Sequence, residues 1–246
     1  MHDFRANTLS GMVDKLATQA IMSEEDRAAL LGLPHVTRTF EPSSYLVREG
    51  DATETSAVLV SGSAYRHKTS SNGGRQIVGM LFPGDFLNLQ QLHINVADHS
   101  VQTLTKCEVA TVPHDALRAI IRDRASIGDA IVTSVLVEGS IMREWLLNIG
   151  QRDARTRVAH FLCEFVARVD RRGATSGHTY HLPMTQEQLG DALGLTAVHI
   201  NRTLKVLESE GLITRDKNFL TFPKWERLRI VADFSSRYLH GRPQSC

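Results

Sequence analysis

Apolar positions at helical spacing open and close this chain, with a stretch of short alternating runs between them. Residues 8–32 read as helical, with Leu9, Met12, Val13, Leu16, Ala28, Leu30 and Leu31 as the apolar positions and Pro34 as the stop. From Val36 to Val112 the texture turns to short β-type runs. Gly50-Asp51, Ser61-Gly62, Asn72-Gly73-Gly74 and Pro83-Gly84-Asp85 punctuate them, which predicts an antiparallel barrel or jelly roll. A small helix follows near 115–123, then a long one from about Ser126 to Ile149. Along the long helix Ile131, Val135, Glu138, Met142, Trp145 and Ile149 alternate by four and three residues, the rhythm of a coiled-coil seam. Two copies of the chain pairing there would bury Met142 and Trp145; the stripe packing on its own barrel is the alternative. Glu138 is the polar member, suited to setting register, meeting a ligand or snorkelling. After Gly150 comes another amphipathic helix, with Val158, Phe161, Leu162, Phe165 and Val166 apolar.

The stretch from Met184 to Ile213 carries the most information. Thr185 with Gln188 three residues on is a capping-box signature. Leu189, Ala192 and Leu193 recur at helical spacing, and Gly194 interrupts them as a turn. Thr196 can cap a second helix, about Thr196–Glu208, with Ile200, Leu204 and Leu207 on one face; Gly211 closes it. Two short amphipathic helices joined by a Gly turn form a helix-turn-helix, whose second helix enters the DNA major groove. An ordinary helical hairpin is the plainer alternative. With the apolar face inward, Val198, Arg202 and Lys205 centre the outward face, flanked by His199 and Asn201. An outward valine can meet a thymine methyl, though single exposed apolar residues are common. Beyond it, ITR and FLTF around Asp216-Lys217-Asn218 read as a hairpin, or wing. A final helix is predicted from Lys224 to about Tyr238.

Composition sharpens this without redirecting it. The chain has 246 residues, 42% hydrophobic and 22% charged, enough for one large or two medium domains. Residues 1–150 carry 13 Lys+Arg against 17 Asp+Glu, net −4; residues 151–246 carry 15 against 10, net +5. The positive end is the one with the helix-turn-helix, as phosphate binding asks. Cysteines 107, 163 and 246 are too scattered for a disulfide framework, which suggests a reducing cytoplasm. No apolar run reads as long enough to span a bilayer, and MHDFRANTLS lacks a signal-peptide core. No nucleophile–base pair, metal cluster or phosphate loop has enzyme-like spacing.

The order of parts resembles the Crp/Fnr superfamily of bacterial transcription regulators. TQEQLGDALGLTAVHINRTLKVLESEGLI, LVREGD, LVSGSAYR, and PGDFLNL followed by CEVATV carry the resemblance. It implies an α+β fold: an N-terminal β-roll of jelly-roll type over 1–125, a dimerisation helix and hinge over 126–150, and a winged helix-turn-helix domain over 151–246. It implies a homodimer on an inverted-repeat DNA operator. Thr185, Gln186 and Thr196 match family positions that contact phosphates, and Arg202 matches a shared arginine. Ala197 and Val198 depart from the Arg or Glu of the best-known members, so their operators do not carry over. RNA polymerase and a small-molecule effector are further partners the resemblance brings into view without fixing either.

Other departures bear on that effector. Cyclic-AMP-binding members hold the ribose with a Gly-Glu pair and clamp the phosphate with an Arg. Asn88 and Leu89 stand at the Gly-Glu positions here, and between Arg75 and Arg118 the one cation is Lys106. A buried phosphate without a guanidinium would be poorly compensated. Three scattered cysteines do not supply an iron–sulfur cluster. His93 and His99 read as loop residues rather than haem ligands, and His160, Cys163 and Glu164 as core rather than a metal site. No cofactor is assigned, and no membrane partner. The reading is a sequence-specific transcription factor; the alternative is a ligand-binding signalling module whose helix-turn-helix makes protein contacts.

Overall fold

The computed structural model describes residues 8–170 and 177–240. Two helices open the chain, α1 (Ser10–Gln19) and α2 (Glu24–Leu31). Ser23 starts α2 through a reciprocal capping box: its hydroxyl accepts the Asp26 amide at 3.1 Å, and Asp26 accepts the Ser23 amide at 3.2 Å. Seven strands follow: β1 (Val36–Phe40), β2 (Tyr45–Val47), β3 (Thr55–Ser61), β4 (Ala64–Thr69), β5 (Arg75–Leu81), β6 (Ser100–Thr103) and β7 (Cys107–Pro113). They form two sheets, ordered β1-β7-β3 and β2-β6-β4-β5. The pairs β1–β7, β3–β7, β2–β6 and β4–β6 are antiparallel, with Val58 opposite Ala110 and Arg66 opposite Val101.

The strand alternation explains how the roll closes. Val58, Ala110 and Val112 point to a cluster with Met12, Leu16, Leu30, Leu117 and Ile127 from the helices. Their neighbours Leu59 and Val109 point the other way, to Leu81, Leu87 and Val101 of the facing strands. The β3–β7 pair is therefore apolar on both faces, covered by helices on one side and strands on the other.

Beyond β7 run α3 (His114–Asp123), α4 (Ala125–Gln151) and α5 (Ala154–Val169), the last capped by Asp153, which accepts the Thr156 amide at 2.9 Å. Then come β8 (Thr179–His181), α6 (Gln186–Leu193), α7 (Ala197–Ser209), β9 (Thr214–Asp216), β10 (Phe219–Thr221) and α8 (Trp225–Val231). The wing is a three-stranded sheet, β8-β10-β9; the sequence pattern predicts only its β9–β10 hairpin. The final helix stops earlier than its apolar pattern suggests. Asp233 takes φ +48, which no α-helix continues, and a separate 3₁₀ turn covers Ser236–Leu239.

By contacts the described chain divides into two compact units. One holds the residues to Lys68 with Gly79–Gly139, and the other holds Thr69–Val78 with Ser140–Leu239. Helix α4 runs through the dividing line. It is 27 residues long and, by length and composition alone, apolar enough to cross a bilayer, which corrects the expectation that no run is. Its apolarity has two sides. Ile127, Ala130, Ile131, Val137 and Trp145 are buried in the chain's own cores, and a second stripe is left open.

Candidate nucleic-acid interface

Thr185 caps α6 as its sequence signature requires: its hydroxyl accepts the Gln188 amide at 3.1 Å, and its amide donates to Gln188 Oε1 at 2.9 Å. Gly194 ends the helix at φ +64, the left-handed conformation glycine adopts without a Cβ clash. Thr196 then caps α7 by accepting the His199 amide at 3.2 Å. A β-carbon on Gly190 would collide with the Leu195 carbonyl oxygen, so the turn closes onto a bare helix backbone. The Leu195 amide donates to the Gly190 carbonyl there at 3.1 Å.

Packing then fixes which face of α7 is presented. Ile200, Thr203, Leu204 and Leu207 are buried, while Val198 is 71% exposed and His199, Arg202 and Lys205 are exposed with it. Asn201 is half-buried at the edge, and Thr185, Gln186 and Thr196 are exposed at the two helix starts. All eight residues expected at the interface thus lie on or beside one helix-turn-helix. The Arg202 side chain makes no hydrogen bond or ion pair among the described residues.

The acids near the end of α7 are otherwise engaged. Glu208 pairs with Arg215 of β9 at 2.6 Å, which holds its carboxyl below the usual range. Glu210 takes a two-pronged contact from Arg155, Nη2 to Oε2 at 2.5 Å and Nε to Oε1 at 2.9 Å. Arg157 donates to the Leu193 carbonyl at 2.9 Å, satisfying an orphan acceptor at the end of α6. These arginines brace the reader from α5 and the wing. Sequence pattern alone misses Gly190, Arg155 and Arg157. Only Gly190 leaves a signal, because a glycine inside a helix is unfavourable unless something packs against it.

The expected dimer seam is divided by the structure. Val135 and Met142 are exposed, but Ile131 and Trp145 are each only 7% exposed within the single chain. Trp145 meets the Phe161 ring edge-on at 5.9 Å, and its indole donates to Glu164. Glu138 pairs with Arg66, and Ile149 is half-buried. The open apolar stripe is Val132, Val135, Leu136, Met142 and Leu146, about one residue off the predicted register at several positions. The helix has apolar residues on two faces, so spacing alone does not say which is internal.

In the roll, Asn88 is buried and fully engaged with its own chain. Its Oδ1 accepts the Ala57 amide at 2.7 Å, and its Nδ2 donates to the Thr55 carbonyl at 3.0 Å and to Gln91 Oε1 at 2.9 Å. Gln91 passes the chain to the Asp51 carbonyl at 2.8 Å. Lys106 is exposed beside Glu41, 3.3 Å away. His93 is exposed, and His99 is buried against Asp98 at 2.7 Å. His160 and Glu164 both contact Tyr238, while Cys163 packs in the core, its thiol pushed up by burial. Cys107 is likewise buried; Cys246 lies outside the described residues.

A β-roll, a long helix and a winged helix-turn-helix with an open basic face together define a DNA-binding transcription regulator. Residues 37–124 match the cyclic nucleotide-binding domain model, and residues 156–230 match the Crp-like helix-turn-helix domain. The nitrogen fixation regulation protein FixK of Bradyrhizobium diazoefficiens is 32% identical over 203 residues, 80% of this chain and 83% of that one. The transcriptional activator protein FnrL of Cereibacter sphaeroides is 29% identical over 80% and 77% of the two chains. The solved structure of FixK2 from Bradyrhizobium japonicum superposes with a TM-score of 0.72 at 23% identity, covering 81% of this chain and 98% of that one. The chain belongs to the Crp/Fnr family of transcription regulators, and it is not an enzyme.

Proposed function

We propose that this regulator acts in the cytoplasm as a homodimer that sets the α7 helix of each protomer in the major groove of an inverted-repeat operator. The exposed face of α7 carries this reading: an unpaired guanidinium one helical turn from an exposed valine. The Arg202 fork suits O6 and N7 of one guanine per half-site, with Val198 against a nearby thymine methyl. His199, Asn201 and Lys205 flank that contact. Thr185, Gln186 and Thr196 sit at helix starts, where amides and hydroxyls favour phosphate.

The open stripe on α4 supports dimerisation. Leu146 is 73% exposed and Met142 58%, on a helix otherwise anchored in its own cores. A symmetry mate over Val132, Val135, Leu136, Met142 and Leu146 would bury each for about 1.5–3 kcal/mol. Residues 1–125 then serve as the sensory part, 126–150 as the dimer helix and hinge, and 151–246 as the reader. Cyclic AMP in the family's usual mode is not the effector, because Leu89 stands at the ribose-binding acid's position and Asn88 beside it is saturated by its own backbone.

The deciding experiment is a binding-site selection on wild type, Arg202→Ala and Gln186→Ala. Arg202→Ala should cost roughly 1–3 kcal/mol on the selected site and relax preference at a single G·C pair. Gln186→Ala should weaken binding to all sequences about equally. An Arg202→Ala variant that keeps the wild-type preference at every position would make the helix assignment wrong.

A further inference from the structure

The segment after α8 is fastened across α5 by a chain of polar contacts within the second unit. Glu164, on the buried face of α5, accepts the Trp145 indole at 2.9 Å on Oε1 and meets the Tyr238 hydroxyl at 2.8 Å on Oε2. One turn earlier, His160 places Nε2 3.2 Å from the same hydroxyl and Nδ1 3.1 Å from the Ala232 carbonyl. His160 is 1% exposed and Glu164 3%. Arg152 adds a second fastening, 2.7 Å from Glu144 of α4 and 3.1 Å from Asp233.

The hydrogens along this chain can be counted. Three contacts lie in series: Ala232 carbonyl to Nδ1, Nε2 to the phenol oxygen, and phenol oxygen to Glu164. Each needs one hydrogen between its heavy atoms. A neutral imidazole brings one, the phenol one and an ionised carboxylate none. Two hydrogens leave one contact as a meeting of lone pairs, in a buried site where that is costly. One additional proton completes all three.

We propose that His160, Tyr238 and Glu164 form a proton-holding latch that fastens residues 232–239 to α5, closed when the three together bind one extra proton and released as pH rises. The proton belongs to the coupled set rather than to any one member. Burial and the Arg152 guanidinium outweigh the Ala232 carbonyl, Glu164 and Glu144, and hold the affinity of the imidazole by itself below the ordinary histidine value. The ring alone is a poor holder, and it is the run of three contacts that gives the extra proton its place. Tyr238 is pushed up by burial beside Glu164 and Glu144, so it stays a phenol.

The other charged or titratable groups facing the set come from every neighbouring element. Glu144 of α4 lies 3.5 Å from Nε2, and Arg168 of α5 lies 3.5 Å from Glu164 Oε1. Arg152 and Asp233 form the second fastening, and the buried Cys163 feels Arg229 and Glu226 of α8. The sign follows from linkage: the closed form binds a proton the open form gives up. The three-contact set must therefore hold its proton above the ordinary histidine range, about 6.5, against the downward shift of the ring by itself; closure is then complete below that range and is lost as pH rises through the value of the closed set.

Hydrogen-exchange mass spectrometry on the full chain tests this, following peptides over 232–240 from pH 5.5 to 8.5 with intrinsic rates corrected. Wild-type protection should fall at least tenfold across that range. Glu164→Gln keeps an oxygen for Trp145 and turns an N–H towards Tyr238, supplying the third hydrogen permanently, so the segment should stay protected at every pH. Tyr238→Phe should exchange at every pH like the open wild type. A flat wild-type profile overturns the latch whatever the variants do. So does a folded Glu164→Gln chain that loses protection with pH as wild type does, since a merely structural carboxylate predicts that result.

Discussion

Arg66 on β4 reaches Glu138 on α4, with Nη1 3.2 Å from Oε2, while its Nη2 donates to the Phe86 carbonyl at 2.6 Å. The polar member of the long helix is thereby explained. Glu138 answers an arginine of its own roll, and that arginine is committed to protein acceptors. With Asn88 saturated and Lys106 out on Glu41, the roll presents neither the acid nor the guanidinium that a cyclic nucleotide would need. Calorimetry with millimolar cyclic AMP should therefore show no saturable heat, and operator affinity should not move. Saturable micromolar binding would require Arg66 to leave Glu138, and Glu138→Gln would then tighten it.

The two faces of α4 should separate cleanly under mutation. Leu146→Asp places a charge on the open stripe, so sedimentation should find a folded monomer that no longer holds the operator. Trp145→Ala removes an indole packed on Phe161 and bonded to Glu164, and should lower unfolding free energy by about 3–5 kcal/mol in denaturant. If Leu146→Asp stays dimeric, the interface lies elsewhere.

Asp26 sets an acid limit on the N-terminal helices. The Ser126 hydroxyl, 2.6 Å from its carboxyl, with Arg124 and the Ser23 cap, holds it at about 2. A carboxyl depressed in the folded state stabilises above its unfolded value, about 3.9, and that contribution is lost as pH falls from there towards 2. Wild type should therefore exceed Asp26→Asn in urea midpoint at pH 6, and the gap should shrink to about a third of that by about pH 2.5. A gap unchanged across that range would show that the carboxyl's charge contributes nothing.

How much of this was legible in the sequence depended on whether a residue's partner is local. Thr185, Gln188, Gly194 and Thr196 cap and turn through neighbours three or four positions away, so their spacing specifies their geometry. The α+β order of parts was legible for the same reason, since strands, turns and helices each carry their own period. Partners far apart along the chain leave no such mark. Arg155 with Glu210 and Arg66 with Glu138 are known only once the chain is folded. Ile131 and Trp145 share a period with Val135 and Met142, yet they face inward. The early end of α8 turns on the single backbone angle of Asp233, against an apolar pattern that continues beyond it.

The bare backbone at Gly190 has a consequence for signalling. With the Leu195 carbonyl seated where a side chain would begin, α6 and α7 have no slack to slide or splay at their junction. The pair is a single rigid casting. A signal that alters operator affinity must then carry that casting bodily towards or away from the groove. Natural variation at position 190 should consequently be almost nil even among relatives that sense unrelated things.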